Sequence, residues 1–142
     1  MRGNVLRAFH GVFERDTALV AWCKHKVGAR THPEARVFGF DTRIKELALP
    51  SVVIGFQSGT PSFTADQLLE WDVYADIVAQ DIWSAADGLD HLERIAAQYR
   101  SNTVPSGLRL NQIICVGHDL IEADEERVIQ VRVSMRVKWT RS

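Results

Sequence analysis

Alternation of apolar and polar residues is clearest near the end of the chain. Ile129, Val131, Val133, Met135, Val137 and Trp139 are interleaved with Gln130, Arg132, Ser134, Arg136 and Lys138. Successive side chains of a strand point to opposite faces, so this period of two predicts a long strand with one buried and one polar face. A second alternation runs from about Glu70 to Trp83. Trp71, Val73, Ala75, Ile77 and Ala79 share one parity; Asp72, Tyr74, Asp76 and Gln80 share the other, with Val78 and Ile82 as exceptions. Two shorter runs complete the set. Pro50 introduces Ser51-Val52-Val53-Ile54-Gly55, and Leu108 to Val116 reads as a strand with Leu108, Leu110 and Ile114 inward. The acidic run Glu122 to Glu126 is a turn that makes the last two strands an antiparallel pair.

Helical spacing appears twice. From about Val5 to Val27, Leu6, Phe9 and Phe13 recur at steps of three and four, and Leu19, Trp22 and Val27 continue less strictly. Asp16-Thr17 either caps a second helix or lies on the solvent face of one bent helix, and Gly28 ends the segment. Asp87 is the expected N-cap of a later helix, with Asp90 in its first turn and an inner stripe of Leu89, Leu92, Ile95, Ala96 and Tyr99. Between these elements, Ala29 to Leu49 keeps no period, and its length marks it as a long exposed excursion. Val37, Phe38 and Phe40 suit a docking segment better than a solvated loop, and Gln57 to Gln67 is a second loop. The sum is a single α+β domain over residues 1–142: a mainly antiparallel sheet of about four strands, packed with two helices on one face. The other face is charged and must meet water or a partner.

Composition narrows the function classes. At 142 residues the chain can bury one core, and a net charge of −1 announces neither a nucleic-acid nor an anionic-membrane partner. No apolar run approaches the roughly 18–20 residues that span a bilayer. Arg7, His10, Glu14 and Arg15 interrupt any secretory core at the N-terminus, so an intracellular setting is expected, with Cys23 and Cys115 as reduced thiols.

The residues that carry chemistry elsewhere are poorly placed here. Cys23-x-His25 and Cys115-x-x-His118 supply the ligand count of a structural zinc. Residues two apart on a helix lie about 200° around its axis, however, and Cys115 and His118 have opposite parity on a strand. Asp72 and Asp76 share a strand face but stand about 13 Å apart along it, beyond the reach of a glycosidase pair. The chain has no nucleophile elbow, and Gly55-Phe-Gln-Ser-Gly59-Thr60 lacks the lysine and spacing of a phosphate loop. No catalytic residue, metal or cofactor is expected. Arg132, Arg136 and Lys138 line one strand face, which fits a salt-bridged surface paired with carboxylates such as Asp72 and Asp76, or a subunit interface, better than a nucleic-acid groove. A nucleic-acid module using that stripe, and a small ligand-binding protein or enzyme with a helix–sheet pocket near Trp71, Tyr74, Trp83 and Trp139, are the competing readings.

Taken together, the chain resembles the tail terminator (tail-completion) proteins of long-tailed bacteriophages. The resemblance rests on the N-terminal helix from Val5 to Val27, the Pro-led strand Leu49 to Gly55 and the strand ending in Asp81-Ile82-Trp83-Ser84. The amphipathic helix Leu89 to Tyr99 and the final strand pair ending in Val128 to Trp139 complete it. It implies a structural virion protein without catalytic residues, assembled in the host cytoplasm. Such a protein forms a ring, usually of six copies, that caps the tail tube, stops its polymerisation and meets the head connector or another neck protein. DNA passes through the ring without sequence-specific binding, and no membrane is involved. The residues expected at subunit or partner interfaces are Phe38, Phe40, Arg43, Phe63, Asp72, Asp76, Arg132, Arg136 and Lys138.

Overall fold

A computed structural model describes residues 2–23, 37–39, 49–56, 62–65, 68–100, 102–104, 107–123 and 128–141. Helices α1 (Arg2–Glu14) and α2 (Thr17–Trp22) precede strands β1 (Val37–Gly39), β2 (Ser51–Phe56), β3 (Ser62–Ala65) and β4 (Leu68–Ala79). Helix α3 (Ile82–Gln98), β5 (Asn102–Val104), β6 (Leu108–Ala123) and β7 (Ile129–Arg141) follow. The sheet order is β1-β2-β4-β7-β6-β5, with β3 also on β4. Its body is the expected four antiparallel strands, β2, β4, β7 and β6, and the three short strands extend it. Of these, β1 pairs parallel to β2 and lies inside the segment read as a structureless excursion. Likewise β3 lies inside the second expected loop.

The two alternating strands are neighbours. β4 and β7 pair antiparallel over twelve residues without a shift, from Leu68↔Thr140 to Ala79↔Ile129. The apolar parity of β4 is therefore flush with that of β7: Trp71, Val73, Ala75, Ile77 and Ala79 are buried, as are Val131, Val133, Met135, Val137 and Trp139. Phe9 and Phe13 from α1, Leu19 from α2, and Ala85, Leu92 and Ile95 from α3 join them in one cluster. Full burial of each such aliphatic or aromatic side chain contributes roughly 1.5–3 kcal/mol. A second, small cluster of Val53 and Val78, flanked by Leu49 and Val128, lies on the opposite face at one end of the sheet.

Three helices, not two, cover the inner face, and two sequence signals were misread. Asp16 does cap a separate α2, its side chain accepting from the Leu19 N–H at 2.9 Å. The second long strand stops at Ala79 rather than Trp83. Asp81 is the N-cap of α3, accepting from the Ser84 N–H at 2.7 Å, so Asp87 and Asp90 lie within the helix rather than at its start. The apolar pair Ile82-Trp83 made this start look like strand, whereas both side chains are exposed, Trp83 by 80%. Close packing explains Gly88 instead: a Cβ there would stand 2.6 Å from Trp22 Cη2 and 3.0 Å from Ile77 Cγ2.

The third correction concerns β6, which runs to Ala123 instead of Val116 and carries register shifts between Leu110 and Gln112, Cys115 and Gly117, and Leu120 and Glu122. Each shift inserts one extra residue and swaps the faces beyond it. Ile113, not Ile114, is consequently the buried residue, because Ile114 stands opposite Arg136 on the outer face.

Asp16 also ties α2 to α3, receiving two 2.8 Å hydrogen bonds from the Arg94 guanidinium. That hydrogen bonding holds the Asp16 carboxyl below its ordinary pKa, against the opposing effect of burial. Asp16→Ala should lose about 1–2 kcal/mol, the usual cost of a deleted cap, in a urea titration. Because the folded pKa is depressed, the wild-type contribution should be complete above the unfolded value of about 3.9 and should fade as pH falls through the lower folded value. The Asp16→Ala stability curve should therefore converge on the wild-type curve in acid and stay parallel to it near neutrality.

Candidate functional site

The polar parity of β4 and β7 forms a ladder on the outer face. Register places Asp76 opposite Arg132, Asp72 opposite Arg136 and Glu70 opposite Lys138. All three rungs close: Arg132 Nε to Asp76 Oδ1 is 2.9 Å, Arg136 Nε to Asp72 Oδ1 is 3.0 Å, and Lys138 Nζ to Glu70 Oε1 is 3.3 Å. The expected pairing of the basic stripe with Asp72 and Asp76 is thus present within one chain, and Glu70 is the third acid that the sequence reading passed over.

The rungs are not equivalent. Asp76 lies on the face expected to meet water or a partner, yet it is buried. Its carboxylate accepts two bonds from Arg132, at 2.9 Å each, and one from the Gln130 amide at 2.8 Å. The Arg132 guanidinium also lies 3.8 Å over the Tyr74 ring, a cation–π contact. Tyr74 in turn fills the space above Gly55, where a Cβ would come within 2.4 Å of the ring. Hydrogen bonding to Asp76 raises the Arg132 pKa further above its ordinary value. The Asp72–Arg136 rung is exposed, and the same cause raises the Arg136 pKa.

Other clusters give little room for chemistry. Among the described residues neither cysteine is in a disulfide; Cys23 is buried and Cys115 half-buried, and burial pushes the Cys115 thiol up, away from a reactive thiolate. The β6 shift at Val116 places Cys115 and His118 on the same face, opposite Met135 and Val133, correcting the parity argument. Among the described residues, no group of three or more His, Cys, Asp and Glu is arranged to hold a metal ion. A hollow of about 330 Å³ is lined by Trp22, Asp87, Asp90, His91 and Arg94, but Arg94 is already committed to Asp16. A smaller one of about 200 Å³, lined by Asp72, Val116, Ser134, Met135 and Arg136, opens where β6 bulges.

The surface least complete in one chain is the outer edge of β6. Val116, Leu120 and Ile121 are exposed by 57, 61 and 42%. Among the described residues, β5 pairs with that edge only from Leu108 to Leu110. Beyond it the backbone presents open strand-pairing positions beside apolar side chains, the usual template for another strand. Sequence reasoning missed this edge because the bulges break the alternation through Val116-Gly117-His118-Asp119-Leu120-Ile121. Of the expected interface residues, Phe38 and Phe63 fall in β1 and β3, on the opposite side of the sheet from β6. Phe40 and Arg43 lie outside the described residues. A scan against protein-family models and a search of the curated proteins gave no match to this chain.

The ladder yields a contrast that a double-mutant cycle resolves. Asp76→Ala leaves a guanidinium that is about one-third exposed and the buried Gln130 amide without their acceptor, and should cost about 1–2 kcal/mol. Asp72→Ala removes only a solvated pair and should be near neutral, with any loss disappearing at high salt.

Proposed function

We propose that this chain is a structural virion protein of the tail-terminator kind, a non-enzymatic subunit that assembles with itself into a ring of about six copies. The ring sits at the head-proximal end of a tail tube, stops tube growth and receives the head connector or a neck protein. The observation that carries the reading is the open β6 edge with its exposed Val116, Leu120 and Ile121. A closed ring of identical subunits needs two different, complementary patches on each. This sheet has two unlike borders, β6 on one side and β1 and β3 on the other. Phe38 and Phe63 occupy strands at that second border.

The internal ion pairs support assembly over nucleic-acid binding. Arg132, Arg136 and Lys138 each hold a carboxylate of their own chain, which leaves little uncommitted charge to displace counterions from phosphates. Assembly would take place in the host cytoplasm, and the product belongs to the virion. No described helix is long and apolar enough to cross a membrane.

Negative-stain images of the purified protein, alone and mixed with tail tubes, should show closed rings of about six subunits, with capped tubes no longer extending. A chain that forms rings under neither condition and leaves tube growth unchanged would sink the proposal. Salt-sensitive DNA binding that survives Leu120→Lys would move the reading to a nucleic-acid module.

A further inference from the structure

The open edge of β6 has two limits: β5 ends opposite Leu110, and the strand itself ends at Ala123. Natural sheets guard such edges with charge, lysine above all, with proline, with short length or with bulges that turn the edge away. The segment from Asn111 to Ala123 contains no lysine, arginine or proline. Instead it carries bulges five residues apart, at Asn111, Val116 and Ile121. A regular strand laid along this edge must drop a residue at each bulge, as β7 does.

A second copy of β6, run antiparallel, needs no such gap. With His118 opposite its own copy, Gly117 meets Asp119, Val116 meets Leu120, Cys115 meets Ile121, Ile114 meets Glu122 and Ile113 meets Ala123. The β7 register puts Ile113, Cys115, His118, Leu120 and Ala123 on the inner face and Ile114, Gly117, Asp119 and Glu122 on the outer. Every pair outside the bulges therefore joins like faces. A slip of one residue in either direction sets inner positions against outer ones. A slip of two toward the C-terminus also joins like faces, but it sets Asp119 against its own copy and Val116 against Glu122. A slip of three the other way runs Ala123 onto Leu110, which β5 already pairs. A slip of five either drives the end of the partner strand into β5 or leaves Val116 uncovered. The favoured register fits between the two limits and brings each exposed Val116 against a partner Leu120, twice by symmetry.

We infer that β6 pairs antiparallel with β6 of a second copy about a two-fold axis at His118, and that this dimer is the resting form of the free chain. The pair is closed, since each copy's open edge is used up by the other and no third copy can add there. Resting on the ring assignment above, one consequence follows. A ring with a tube side and a connector side cannot repeat a two-fold contact around its axis, so the dimer must part before the ring closes. The resting pair thus shields an edge that would otherwise recruit strands away from the tail.

The test uses the full chain with Cys115→Ser and one new cysteine. His118→Cys should form an intermolecular disulfide on mild oxidation, while Ile114→Cys, which faces Glu122 of the other copy, should not. Sedimentation of the unmodified chain should give two chain masses, and Leu120→Lys should weaken the pair by about tenfold or more. The oxidised His118→Cys dimer should form no rings until it is reduced. A monomer at every concentration, or cross-linking at Ile114→Cys in preference to His118→Cys, overturns the inference. Rings that form under oxidation while His118→Cys fails to cross-link overturn the pair but leave the ring assignment standing. A cross-linked dimer that never yields rings after reduction does the reverse.

Discussion

Everything in this fold hangs on the register of β4 against β7. Twelve consecutive pairs without a bulge put two apolar parities on one face and two charged parities on the other. A slip of one residue would set the apolar side of one strand level with the charged side of the other, turning either Ile77 of β4 or Val133 of β7 toward solvent, so the register is strongly fixed by burial alone. The helices then have one place to go. Phe9, Phe13, Leu19 and Leu92 are buried against that face, and the Asp16–Arg94 pair locks α2 to α3 above it.

The ion-pair ladder on the other face reinforces that register more than it adds net stability. A buried ion pair seldom outperforms a well-packed apolar pair once desolvation is counted. Asp76 and Arg132, however, satisfy each other only when they are opposite, with Gln130 completing the carboxylate and Tyr74 supporting the guanidinium. In any other register a largely buried carboxylate would lack its partner. Specificity of pairing is the physical role this geometry favours, and it commits the basic stripe to structure within the chain.

Much of this was legible in advance where one rule governed a whole segment. The period of two in β7 and most of β4 gave both strands and their faces, and the opposed parities anticipated the Asp72 and Asp76 ion pairs. Reading failed where two rules overlapped. Ile82 and Trp83 continued an apolar run that a cap at Asp81 had already ended, so helix was read as strand. In β6 each bulge reset the parity, and no residue in the segment announces a bulge the way a glycine in a tight turn does. Ile114 was placed on the wrong face, and Cys115 and His118 on opposite faces rather than one, for that one reason. The short strands β1, β3 and β5 are too brief for any period to register.

The same bulges connect the fold to assembly. A regular edge strand of this length would accept almost any exposed strand, and natural sheets pay for safety with charge or proline. β6 has no proline and no lysine or arginine along its open stretch, only Asp119 and Glu122, and its regular pairing is interrupted every five residues. Interruption at that interval penalises a straight strand, which must skip residues to stay in phase, but costs an identical strand running the other way nothing. Selectivity for self then comes from backbone geometry rather than from side-chain charge. It leaves the apolar Val116, Leu120 and Ile121 to supply the attraction and the bulge spacing to choose the partner.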